Sequence, residues 1–121
     1  MKLKIIDTNF SICRLEDFSK VDFTDDFCFL AKTDEENSLV CRTECMPENV
    51  TARDDGWRAF RIQGILDFSL IGILARISSL LAENQISIFA VSTYNTDYIL
   101  IKEENFEKAL NTLGDFIGME T

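Results

Sequence analysis

Gly64-Ile-Leu-Asp-Phe-Ser-Leu-Ile-Gly-Ile-Leu74, continued by Ile86-Ser-Ile-Phe-Ala-Val-Ser-Thr-Tyr-Asn-Thr-Asp-Tyr98, decides the fold of this chain. The first run reads as the end of a strand, a tight loop and the start of an amphipathic helix. The second reads as a buried strand followed by a polar hairpin. Ser69 suits an N-cap, and the helix is expected to run to Asn84 with Leu70, Ile73/Leu74, Ile77 and Leu80/Leu81 on one face. This order places a helix N-terminus beside a hairpin carrying Thr93, Thr96 and Asp97. The backbone N–H groups at a helix N-terminus lack intrahelical partners and carry partial positive charge, so they receive carboxylates. A nearby Asp supplies the opposite charge for an ammonium group. The combination describes a pocket for a free amino acid.

Working outward, residues 57–65 precede the loop as a strand, and residues 86–93 are nearly all apolar, which predicts a short central strand. Residues 97–102 form the next strand. Residues 103–117 predict a second helix, with Glu103 and Glu104 at its positive end and Phe106, Ala109/Leu110, Leu113 and Ile117 facing the sheet. The second half alone therefore counts β-α-β-β-α. Before it, residues 2–6 and 10–15 are strand candidates. Residues 27–33 and 38–43 flank the polar turn Asp34-Glu-Glu-Asn37 as a hairpin. Residues 44–48 allow at most one helical turn, broken at Pro47. Asp54-Asp-Gly56 is a turn signal and the best internal boundary.

The stretch resembles the ACT domain, a small βαββαβ module that binds amino acids and regulates other proteins. The resemblance rests on Ser69-Leu-Ile-Gly72-Ile-Leu74 followed by Ile86-Ser-Ile88. The closer resemblance is to a small subfamily, the bacterial relatives of the CASTOR arginine sensors, whose signature looks like a Trp-Arg strand, Leu-Asp-Phe-Ser, and Ile-Ser-Thr-Tyr-x-Thr-Asp-Tyr. This chain has Trp57-Arg58, Leu66-Asp-Phe-Ser69 and Val91-Ser-Thr-Tyr-Asn-Thr-Asp-Tyr98, with Val91 where Ile is usual. The match is strong over residues 57–102 and weaker before residue 56. The expected fold class is α+β: tandem ACT-like, ferredoxin-like βαββαβ units with antiparallel sheets. A degenerate unit over residues 1–56 precedes an ACT unit over 57–121 that lacks its last strand. Residues 2–6 are a candidate for the edge strand that the second unit lacks.

What the resemblance implies for the site is carried over onto matched positions. Backbone N–H groups near Leu70, Ile71, Gly72 and Ile73 would hold the ligand carboxylate, with Asp67 and Ser69 beside them. Asp97 would hold the amino or side-chain cation, and Thr93, Tyr94 and Thr96 would line the pocket. Each position also has a plainer reading. Gly72 serves either ligand approach or close helix–sheet packing, and Asp67 and Ser69 also suit the helix start. Asp97 is accepted by a hairpin turn, and the threonines can simply close that hairpin. The ligand is expected at an interface between ACT units. The sensors have four such units and this chain has room for two, so a homodimer is expected, along with a regulated protein that the sequence does not identify. Arginine or lysine are the ligands to test first. The alternative is a protein-interaction module with a vestigial ligand pocket.

Composition narrows the function classes. The net charge of −9 argues against nucleic acid or an anionic membrane as partner. Residues 1–56 carry 7 basic and 13 acidic side chains, net −6, and residues 57–121 carry 5 and 8, net −3. The acids at Asp25-Asp26 and Asp34-Glu35-Glu36 read as solvated turns. No apolar run approaches a membrane span, and Met1-Lys-Leu-Lys has no signal-peptide core behind it, so a cytoplasmic location is expected. Cys13, Cys28, Cys41 and Cys45 lack the close double pairs of a zinc site and read as structural thiols. With no histidine, the commonest general base near neutral pH is missing. The sequence asks for no catalytic centre, no metal and no cofactor, and a non-enzyme is the expectation.

Overall fold

The computed structural model describes residues 2–63, 72–114 and 118–120. Along the chain these form β1 (Lys2–Leu15), β2 (Cys28–Lys32), β3 (Asn37–Arg42), β4 (Val50–Gln63), α1 (Ile73–Glu83), β5 (Phe89–Ser92), β6 (Asp97–Lys102), α2 (Glu103–Gly114) and β7 (Gly118–Glu120). The class is α+β with mostly antiparallel strands. Two compact units are present, Thr8–Trp57 and Met1–Asp7 with Arg58–Thr121. β1 and β4 are long enough to contribute one half to each unit.

In the unit containing Arg58–Thr121 the strand order is β1-β4-β6-β5, with β7 beside β1. β5 and β6 pair antiparallel, Ser92 opposite Asp97 and Phe89 opposite Leu100. Lys2–Lys4 of β1 pairs parallel with Gly118–Glu120, so the first residues of the chain join a sheet built from its second half. Strand alternation sends Phe60 and Ile62 of β4 and Ile99 and Ile101 of β6 to the helix-covered face. There they pack with Leu3, Ile77, Leu81, Phe106, Ala109 and Leu113 in one buried cluster. The α1 and α2 faces expected from helical spacing are the faces that point inward, as far as they are described.

α1 ends in a Schellman cap: Ile86 N–H donates to Leu81 C=O at 2.9 Å and Gln85 N–H to Ala82 C=O at 3.0 Å. Gln85 takes φ 57° to do so. Ile86 and Leu81, the hydrophobic pair of that motif, are both buried. Lys108, midway along α2, donates to the Asn84 carbonyl at 2.9 Å and fastens the end of α1 to α2.

In Thr8–Trp57 the order is β2-β3-β1-β4. A loop over residues 16–27 and one 3-10 turn, Thr43–Cys45, stand where the other unit has helices. Cys13, Leu15, Leu39 and Cys41 form its buried cluster, with Phe18, Val21 and Met46 packed against them. Ser11 is fully buried and donates to Asp55 at 2.6 Å. Trp57, at the end of this unit, is buried.

Several sequence expectations change. Residues 2–6 and 10–15 are one strand rather than two, because pairing to different partners holds the intervening residues extended. Asp54-Asp-Gly56 is no turn. It lies inside β4, and Gly56 at φ 83° absorbs the irregularity as at a bulge. β5 is not central: it ends the strand order of its unit, and its half-buried Phe89 and Val91 alternate with exposed Ala90 and Ser92. Asp25 is not solvated either. Its side chain is 7% exposed and is gripped by Arg42 through Nη2 at 2.6 Å and Nε at 3.0 Å. That guanidinium holds the Asp25 carboxyl below the usual carboxylate range.

Candidate functional site

Asp67, Ser69, Leu70 and Ile71 lie outside the described residues. The other expected site residues belong to the α1 start and the β5–β6 hairpin. Gly72 sits at the N-cap of α1 with φ 85°, and its carbonyl accepts the first helical bond from Arg76 N–H at 2.9 Å. A residue in that left-handed region cannot continue a right-handed helix. The helix therefore begins at Ile73, later than Ser69, and Gly72 precedes the first turn instead of occupying it. A Cβ added at Gly72 would meet no atom within 4 Å. Backbone conformation, not close packing, is thus sufficient reason for glycine here. Ile73 opens the helix and packs against the core cluster. The first N–H groups of an α-helix have no partner within the helix itself.

The hairpin is closed by its threonines. Thr93 N–H donates to Thr96 C=O at 2.7 Å, and the Thr93 hydroxyl donates to the same carbonyl at 3.0 Å. Thr96 N–H returns a bond to Thr93 Oγ1 at 3.3 Å. The Thr96 hydroxyl instead reaches out of the turn and donates to Ile62 C=O at 2.6 Å. Ile62 is next to last in β4, so this bond fastens the hairpin to the strand end that leads toward α1. Asp97 begins β6 directly opposite Ser92 and accepts its hydroxyl. Tyr94, at the tip, is fully exposed.

Arg61 is a neighbour that sequence reasoning missed. Its Nη1 donates to Tyr98 Oη at 3.0 Å and its Nε to Gln63 at 2.9 Å, with the guanidinium 5.8 Å from the Tyr98 ring centre. Alternation along β4 would have placed Arg61 and Gln63 on one face. That Tyr98 shares the face depended on the β4–β6 pairing. A separate open groove of about 630 Å³ lies along the exit of α1, lined by residues including Ser78, Ser79, Gln85 and Ser87. None of the expected site residues that are described lines it. Among the described residues no three metal-ligating side chains come together, and no helix is long and apolar enough to cross a membrane.

The ACT domain family model matches residues 52–115. Among solved structures, a structural-genomics protein from Agobacterium tumefaciens is 32% identical with a TM-score of 0.87, over 98% of this chain and 91% of that one. A Vibrio cholerae protein described as a possible transport protein is 19% identical with a TM-score of 0.74, over 95% and 88% of the two chains. The regulatory subunit of aspartate kinase from Thermus thermophilus shares the fold at 12% identity and a TM-score of 0.64, over 95% and 96%. A search of curated proteins gives no significant match.

Proposed function

Because the chain belongs to the ACT domain family, we propose that it is a non-catalytic regulatory protein that binds a free amino acid. The observation that carries this reading is the Thr96–Ile62 bond. It fastens the hairpin that carries Asp97 to the end of β4. A carboxylate and the N-terminal N–H groups of a helix are the two complementary charges that a zwitterion needs. In this reading Asp97 meets the ammonium group, and the backbone from Leu70 to Ile73 meets the carboxylate. Asp67, Ser69, Thr93, Tyr94 and Thr96 complete the surroundings.

The tandem arrangement belongs to the same proposal, with units over 1–56 and 57–121 and the first residues of the chain lending a strand to the second. The two compact units have matching strand orders, β2-β3-β1-β4 and β5-β6-β4-β1, which is the order expected of repeated βαββαβ modules. The first has exchanged its helices for a loop and a 3-10 turn. The resemblance to the CASTOR relatives adds a homodimer that brings four units together, a ligand at an interface between units, and arginine or lysine as first candidates. Likeness to an aspartate kinase regulatory subunit supports a regulatory role, exerted on a protein still to be identified.

A thermal-shift screen of the twenty amino acids, followed by calorimetry, tests the reading, since a ligand that binds only the folded state raises its stability. Methyl esters and N-acetyl derivatives of the ligand should lose most affinity, because each leaves a buried partner unmatched. No heat with any free amino acid would instead favour the interaction-module reading, for which the fully exposed Tyr94 is the supporting observation.

A further inference from the structure

All four cysteines fall within Thr8–Trp57, and three of them meet on one sheet face. The β2–β3 hairpin is closed by Thr33 N–H donating to Glu36 C=O at 3.0 Å. Opposed residues in antiparallel strands alternate between hydrogen-bonded and non-hydrogen-bonded pairs. Stepping back from Thr33 and Glu36 along the register, Cys28 and Cys41 form a non-hydrogen-bonded pair. In such pairs the Cα atoms lie about 4.5 Å apart with both side chains on the same face, inside the roughly 4.4–6.8 Å that a disulfide spans. Cys28 packs against the cluster that contains Cys41. Cys41 and Cys13 are buried, whereas Cys28 is half-buried and open to a small oxidant.

We propose that Cys28 and Cys41 form a redox-modification site that closes to an intramolecular disulfide when the chain meets a peroxide. The Cys28 thiolate attacks one peroxide oxygen, breaking the O–O bond, and becomes a sulfenic acid as hydroxide leaves and is protonated to water. Cys41 sulfur, giving up its proton, then attacks the Cys28 sulfur and expels a second water. Two thiols are oxidised by two electrons in total and one peroxide is reduced. Burial and the neighbouring Asp25 and Asp22 push the Cys28 thiol up. Cys41 is held up by its hydrogen bond to Cys13. The disulfide would staple β2 to β3 at the hairpin's open end.

The test treats the full chain with hydrogen peroxide, alkylates the remaining thiols and maps the peptides by mass spectrometry. The expected product carries no link between chains, is two hydrogens lighter per chain, is linked between Cys28 and Cys41 and is reversed by dithiothreitol. The β2 amides should exchange several-fold more slowly in the oxidised form. Cys45→Ser should keep the link. Cys28→Ser, checked for folding by circular dichroism, should lose it. Four alkylatable thiols after treatment, a Cys13–Cys41 link, or over-oxidised Cys28 beside free Cys41 would each overturn the proposal.

Discussion

Asp97→Asn separates charge from shape at the proposed amino-acid site. The asparagine carbonyl can still accept the Ser92 hydroxyl, so the bond that anchors the start of β6 survives. Since only a charge on an incompletely buried residue is removed, stability without ligand should change by less than about 0.5 kcal/mol. The loss falls on the ligand ammonium. A hydrogen bond to a charged group contributes about 1.5–3 kcal/mol, and each 1.4 kcal/mol is tenfold in affinity, so Kd should rise roughly 10- to 150-fold. At a ligand concentration of about 100 times the wild-type Kd, binding stabilises the folded wild type by about 2.7 kcal/mol. With a hundredfold weaker variant the same concentration gives only about 0.4 kcal/mol. Thermal shift reads this as a nearly abolished ligand response on an unchanged ligand-free Tm, and calorimetry gives the Kd directly. An Asn variant that binds as tightly as wild type would refute the ammonium role of Asp97. A large drop in ligand-free Tm would refute the claim that the charge serves binding alone.

Three further outcomes are expected. Gly72→Ala should destabilise the fold by about 1–2 kcal/mol in urea titration, because φ 85° is costly for any residue with a Cβ even though the space is open. Asp25→Asn should lower Tm by a few degrees at neutral pH. The Asp25 pKa is depressed in the folded state, so its stabilisation is present above the unfolded value of about 3.9 and disappears as pH falls through the folded one. The gap between variant and wild type should therefore close in acid, and a gap that widened there would contradict the ion pair. Light scattering at micromolar concentration should give twice the 13.8 kDa chain mass, and a stable monomer would remove the homodimer.

Residues whose partners are near in sequence were legible. The helical spacing of Ile77, Leu81, Phe106, Ala109 and Leu113 required no knowledge of the fold to place them inward. Both hairpins followed from polar residues between apolar runs, although the first closes at Thr33–Glu36, one residue earlier than the expected Asp34–Asn37 turn. At the proposed site the motif named residues, and the structure gives their local contacts. The motif named Gly72, Thr96 and Asp97, but gave each a reason that contacts refine: Gly72 for its φ, Thr96 for its reach to Ile62, Asp97 for its pairing with Ser92. Arg61 and the grip of Arg42 on Asp25 went unread, since a residue 17 positions away leaves no mark on local periodicity.

By itself, then, the sequence determined the α+β class, the two helices, the hairpins and membership of the family, because these depend on short-range periodicity, turn chemistry and motif spacing. The tertiary structure alone decided that Lys2–Lys4 pairs with Gly118–Glu120, that β1 and β4 run unbroken for 14 residues each, and that Gly56 bends a strand where a turn was expected. Those outcomes depend on which distant backbone groups are available to hydrogen-bond, and a strand cannot declare its partner through its own residues.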